Sequence, residues 1–137
     1  MLLIITIGLT SVSCNKYEDG PKLSLRTKKA RLSGDWKIEK VLYNGTDVTS
    51  SSVAFLGSNY ELDLEKDGKL KESGNGFSYT GTWKLGEDKD DVEFKYDNNP
   101  GSATGEESYR ILKLKNKELW LKHTSSNGDV SETHLIQ

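Results

Sequence analysis

From Trp36 onward the chain repeats with period two. Trp36, Ile38 and Leu42 are interleaved with Lys37, Glu39 and Val41; Tyr60, Leu62 and Leu64 with Glu61, Asp63 and Glu65; Phe77, Tyr79, Trp83 and Leu85 with Ser78, Thr82 and Lys84. Such alternation predicts strands with one face buried and one in water. Shorter strands are expected at 69–73, 92–96, 109–115, 118–124 and 130–137, which makes eight. Asp67-Gly68, Gly74-Asn75-Gly76, Asn116-Lys117 and Asn127-Gly128 supply turn residues between them. Only two connections are long, 44–59 and 97–107, and both are rich in Ser, Thr, Gly and Asn. Ahead of the strands lies a basic segment, 23–32, with Leu25 and Leu32 seven apart and Ser24 as N-cap, which predicts a short amphipathic helix. With no interior helix to carry a parallel crossover, the sheet should be antiparallel. Eight meandering strands hide their edges by closing. The expected fold is therefore all-β: an eight-stranded antiparallel up-and-down barrel with a short N-terminal helix.

Strand direction sorts the connections into two ends. The turns at 67–68, 86–91 and 116–117 fall at the end that holds Trp36. Both long loops fall at the other, so one end should be closed and one open. If Asn116-Lys117 and Asn127-Gly128 are both two-residue turns, Leu114 faces Leu119, Arg110 faces His123, Leu121 faces His134 and His123 faces Glu132. The inner wall then grades from Leu114, Leu119 and Ile136 to a rim of Arg110, His123 and Glu132, joined by Tyr60, Phe77, Tyr79 and Tyr96. That rim would suit a small amphipathic ligand whose polar head meets Arg110. An eight-stranded barrel is just wide enough either to be filled by its own side chains or to hold one small molecule.

The same register makes two further expectations. His123, Glu132 and His134 would lie side by side, a donor set that zinc accepts, although a three-residue turn at 126–128 would scatter them. Trp120, Ile111, Leu135 and Tyr109 would point outward as an apolar strip, either a protein-partner surface or the seat of the N-terminal helix through Leu25 and Leu32.

The first residues set the compartment. Positions 1–13 hold an uncharged apolar run too short to span a bilayer as a helix, followed by small polar residues. Ser13 then precedes Cys14, the one cysteine of the chain. This arrangement resembles the signal peptide and lipobox of bacterial lipoproteins, which implies that Cys14 is acylated and begins the mature chain. Residues 14–22 read as a lipidated polar tether. Asn15, where an aspartate would resemble an inner-membrane retention signal, favours the outer membrane, with the domain on its periplasmic or surface face.

Composition removes several function classes. With 19 basic and 21 acidic residues the net charge is −2, without the strongly basic face that nucleic acid usually requires. Asp88 to Val92 and Asp97 to Gly101 lack the ligand spacing of a calcium loop. Gly76-Phe77-Ser78-Tyr79-Thr80 misses the last glycine of a nucleophile elbow and lies in a strand. The acidic residues alternate onto expected outward faces, so no paired carboxylates can be assigned. The reading is a protein without catalysis, cofactor or metal.

A short helix followed by Gly34-Asp35-Trp36 at the opening of the first of eight strands resembles the Gly-x-Trp signature of lipocalins. Behind a lipobox, the whole is similar to the lipocalin-like domain lipoproteins of Gram-negative bacteria. The resemblance implies a lipocalin-like domain over 23–137, a membrane attachment through the lipid anchor, and non-catalytic binding of a small hydrophobic or amphipathic molecule in the barrel. The alternative is an accessory lipoprotein that binds a protein through the barrel exterior.

Overall fold

A computed structural model describes residues 27–98 and 105–137. The signal peptide, Cys14, the tether, Ser24 and Leu25 lie outside the described residues. The elements are α1 (Lys28–Leu32), β1 (Gly34–Tyr43), β2 (Thr46–Asp47), α2 (Thr49–Leu56), β3 (Glu61–Leu64), β4 (Lys69–Gly74), β5 (Phe77–Leu85), β6 (Asp91–Tyr96), β7 (Glu106–Leu114), β8 (Glu118–Thr124) and β9 (Val130–Ile136). Each strand from β3 to β9 pairs antiparallel with the next. β1 pairs with β3 on one side and β9 on the other, which closes an eight-stranded barrel. β2 is a two-residue arm folded back on the end of β1. Its turn is Asn44-Gly45, both at positive φ (47° and 82°), the geometry for which Asn-Gly is favoured.

The closed end is built around two tryptophans. Trp36 is fully buried, and its indole N–H donates to the Leu32 carbonyl at 2.8 Å. Trp83 donates likewise to the Glu65 carbonyl at 2.9 Å. Buried indole N–H groups need such acceptors. The Leu32 bond ties the last turn of α1 across the barrel floor, and Leu32 is itself fully buried there. The N-cap of α1 is Thr27, whose hydroxyl accepts from Ala30 N. Gly34 carries φ +140°, and a Cβ there would come within 2.1 Å of the Gln137 side-chain nitrogen. The positive φ favours glycine between helix and strand, and the Gln137 side-chain end packs into the space that a Cβ would take.

The 44–59 segment, read as a loop, instead contains β2 and α2. An Asx-type contact starts the helix, with Asp47 accepting from the Thr49 backbone N–H at 2.9 Å and from its hydroxyl at 2.6 Å. The helix lies over the open end. Leu56 packs against the core, and its carbonyl accepts from Asn75 N in the β4–β5 turn at 2.6 Å. A serine- and threonine-rich segment without charge forms a helix here because tertiary contacts on the barrel mouth override weak propensity.

Two departures from regular pairing revise the expected register. β7 bulges between Ile111 and Lys113, so Ile111 faces Leu121 and Arg110 faces Lys122. The β8–β9 connection closes through Ser125 N to the Asp129 carbonyl, leaving the three-residue turn 126–128 with Gly128 at φ +90°. Leu135 then faces Leu119, and His134 faces Trp120. A one-residue shift exchanges inner and outer faces. A third irregularity, between Ile38 and Lys40 on β1, turns Val41 inward and Leu42 outward.

Candidate functional site

The barrel interior retains a cavity of about 160 Å³. Its floor and walls are apolar, from Ile38, Leu62, Phe94, Leu121 and Leu135, and α2 roofs it with Ser52 and Leu56. Among the described lining residues Glu72 is the only charged one. Glu72 points inward because Leu70, two positions earlier on β4, does so: Leu70 is 2% exposed, while Lys69 and Lys71 are in water. Each of its carboxylate oxygens accepts one phenol, Tyr60 Oη at 2.7 Å and Tyr96 Oη at 2.8 Å.

A second inward carboxylate, Glu107, accepts from Tyr109 Oη. Its backbone faces Phe94, a core residue, across the β6–β7 pair. Burial, reinforced by the adjacent carboxylates, raises the phenols of Tyr60, Tyr96 and Tyr109 above the ordinary value of 10.0. All three therefore remain hydroxyl donors at neutral pH. The rings form a continuous aromatic wall: Phe77 stacks on Tyr79, Tyr79 meets Tyr96 edge-on, Phe94 meets Tyr96 and Tyr109, and Tyr109 meets His123.

The structure brings together Tyr60, Phe77, Tyr79 and Tyr96 on the inner face, and His123 joins them at the mouth through Tyr109 and a 3.2 Å contact between Nδ1 and the Ser108 carbonyl. It separates Arg110 and Glu132 from that group. The β7 bulge turns Arg110 outward, where its Nε lies 3.3 Å from Asp91 and the side chain is 54% exposed. The three-residue β8–β9 turn puts Glu132 outside as well, 2.7 Å from His134 Nε2. The His123, Glu132 and His134 set is thereby scattered across two faces. Ile136 faces outward opposite Lys37 and Glu118 rather than lining the floor.

The expected outer strip also dissolves. Ile111 (4% exposed) and Leu135 (1%) are core residues, and Tyr109 lines the cavity. Trp120 stays outside, yet its ring is sandwiched between His134, stacked at 3.8 Å, and the Lys113 ammonium at 4.3 Å. Leu32 packs into the barrel floor, and α1 contacts the β5–β6 side through Lys28 and the Lys89 carbonyl. A larger hollow, about 730 Å³, lies over the outer face of β5 to β7. Lys84 with Glu93 (3.4 Å) and Lys95 with Glu106 (3.8 Å) pair across it in water, so it presents little net charge and weak ion pairs.

Glu72 and Glu107 are the inner-face groups that reading the strands did not pick out. The signal for Glu72 is present in Leu70-x-Glu72, where the apolar parity of β4 carries a carboxylate inward. For Glu107 the signal depends on the β7 bulge.

No protein family's sequence pattern matches this chain, and no curated protein sequence does. Among solved structures it is similar to a lipocalin-like protein from Bacteroides uniformis, with a TM-score of 0.57 at 15% identity, over 78% of this chain and 98% of that one. The fold is lipocalin-like. At that identity the likeness concerns architecture alone, and the interior chemistry is this chain's own.

Proposed function

We propose that this protein is an exported, lipid-anchored binding protein that holds a small hydrophobic or amphipathic molecule inside the barrel and performs no catalysis. The observation that carries the reading is the interior cavity of about 160 Å³ beneath α2, lined mostly by apolar and aromatic side chains, with one tyrosine-bonded carboxylate as its only charged group among the described lining residues. A cavity of about 150 Å³ is enough to hold a benzene-sized molecule, and a few polar groups in an apolar enclosure are what orient a small ligand. With Arg110 outside, the polar head of such a ligand meets Glu72 and its phenols. Export and attachment rest on the apolar run of 1–13 and on Cys14, with the outer membrane as destination. A triacylated residue carries ample buried CH₂ for stable anchoring at about 0.8 kcal/mol per group.

Native mass spectrometry of the full chain after gentle extraction from its membrane tests the binding reading. A small molecule retained at one per chain is expected, and it should be lost on Thr133→Phe, which fills the cavity. An empty spectrum across preparations, or retention unaffected by the filling, contradicts it.

A further inference from the structure

Among the described residues that line the interior cavity, the one ionisable carboxyl side chain, Glu72, has no basic neighbour in the lining. Glu72 lies on the cavity wall, and among the described residues no lysine, arginine or histidine is within ion-pair distance of it. Two phenols satisfy one lone pair on each oxygen, which leaves acceptor capacity on a carboxylate that has about four such sites. They donate hydrogen bonds but bring no charge. A cation seated beside a partly buried carboxylate gains a charge-assisted contact that a neutral group lacks.

The surroundings of Glu72 suit a cation. Tyr60, Tyr96, Tyr109 and Phe94 line the same cavity, and Tyr79 packs edge-on against Tyr96. Aromatic faces attract ammonium groups, most strongly where water is excluded. Lysine and arginine ammonium or guanidinium groups of the barrel itself are kept outside: Arg110 pairs with Asp91, Lys84 with Glu93 and Lys95 with Glu106. Glu107, bonded to Tyr109, adds a second acidic group to the inner face, and both carboxylates raise the Tyr60 phenol.

We propose that the cavity selects a small organic cation, an alkyl- or arylammonium whose charged nitrogen sits against Glu72 within the tyrosine cage and whose apolar part packs toward Leu121 and Leu135. The proposal rests on the interior being a binding chamber and adds the charge of its occupant. The cavity volume restricts that occupant to about one ring with a one-carbon arm.

Calorimetric titration of the full chain at neutral pH with benzylammonium, benzyl alcohol and benzoate separates the two claims. The proposal expects benzylammonium to bind at least tenfold more tightly than benzyl alcohol, with benzoate weakest. Glu72→Gln should cost benzylammonium about tenfold and change benzyl alcohol less than twofold. Equal affinity for the ammonium and the alcohol, or tighter binding of benzoate, overturns the charge selection while leaving a binding chamber in place. No saturable binding of any of the three overturns both. The comparison among probes on the unsubstituted protein decides the matter even where the Gln variant folds poorly.

Discussion

At Gly34 the backbone takes φ +140°, so an alanine there is strained, while the flexible end of the Gln137 side chain beside it can swing away. Strain of this kind costs about 1–3 kcal/mol, and Gly34→Ala should lower the urea midpoint accordingly. Trp36 is the neighbour that this turn delivers to the barrel floor. Trp36→Ala removes a fully buried ring and leaves the Leu32 carbonyl without its donor, a loss of about 3–5 kcal/mol by equilibrium unfolding. The buried phenols give a pH-dependent test with a fixed sign. Tyr60, Tyr96 and Tyr109 have raised values in the folded chain, so the folded state keeps their protons while the unfolded state releases them above about pH 10. Their contribution to stability is therefore complete below pH 10 and declines as pH rises beyond it. Absorbance at 295 nm should show these three of the six tyrosines ionising only together with the loss of near-UV circular dichroism. Ionisation of all six in the folded protein would contradict the interior placement.

The strands themselves follow from alternation, and so does their division into a closed and an open end. Irregular pairing did not follow. A bulge inserts one residue without a composition signal of its own, and the Leu112 bulge reverses every face of β7 toward its start: Tyr109 and Ile111 go in, Arg110 goes out. On β9 the difference between a two-residue and a three-residue turn around Asn127-Gly128 does the same, because both lengths place glycine at positive φ. Tyr60, Phe77, Tyr79 and Tyr96 lie on segments without such irregularities, and their inner face was legible from period two. Helix α2 was hidden because Thr49–Leu56 has neither amphipathic stripe nor charge, and its position is set by the barrel mouth. The β7 parity has a direct check. Leu112→Asp, at a side 37% exposed, should change stability by no more than about 0.5 kcal/mol, whereas Ile111→Asp buries an unpaired charge and should abolish cooperative folding. The reverse ranking would restore the regular register.

On the scale of the whole molecule, α1 and the two tryptophans seal one end, α2 covers the other, and the remaining space is small, aromatic and acidic at its polar pole. Several exterior charges pair across strands, among them Arg110 with Asp91, Lys84 with Glu93 and Lys95 with Glu106, while Glu72 is the only charged residue among the described residues that line the interior cavity. Attachment belongs to this scale as well. Metabolic labelling with a radiolabelled fatty acid should mark the full chain and vanish with Cys14→Ser, and unchanged labelling would move the anchor elsewhere. The most direct measurement of the central claim is a titration of the full chain with benzylammonium followed by ¹H–¹³C NMR of its methyl and aromatic groups. Saturable shifts confined to Leu56, Leu121, Leu135, Tyr60 and Tyr96 are predicted. Shifts at the outer face of β5 to β7, or none that saturate with benzylammonium, benzyl alcohol or benzoate, would contradict a ligand chamber inside the barrel.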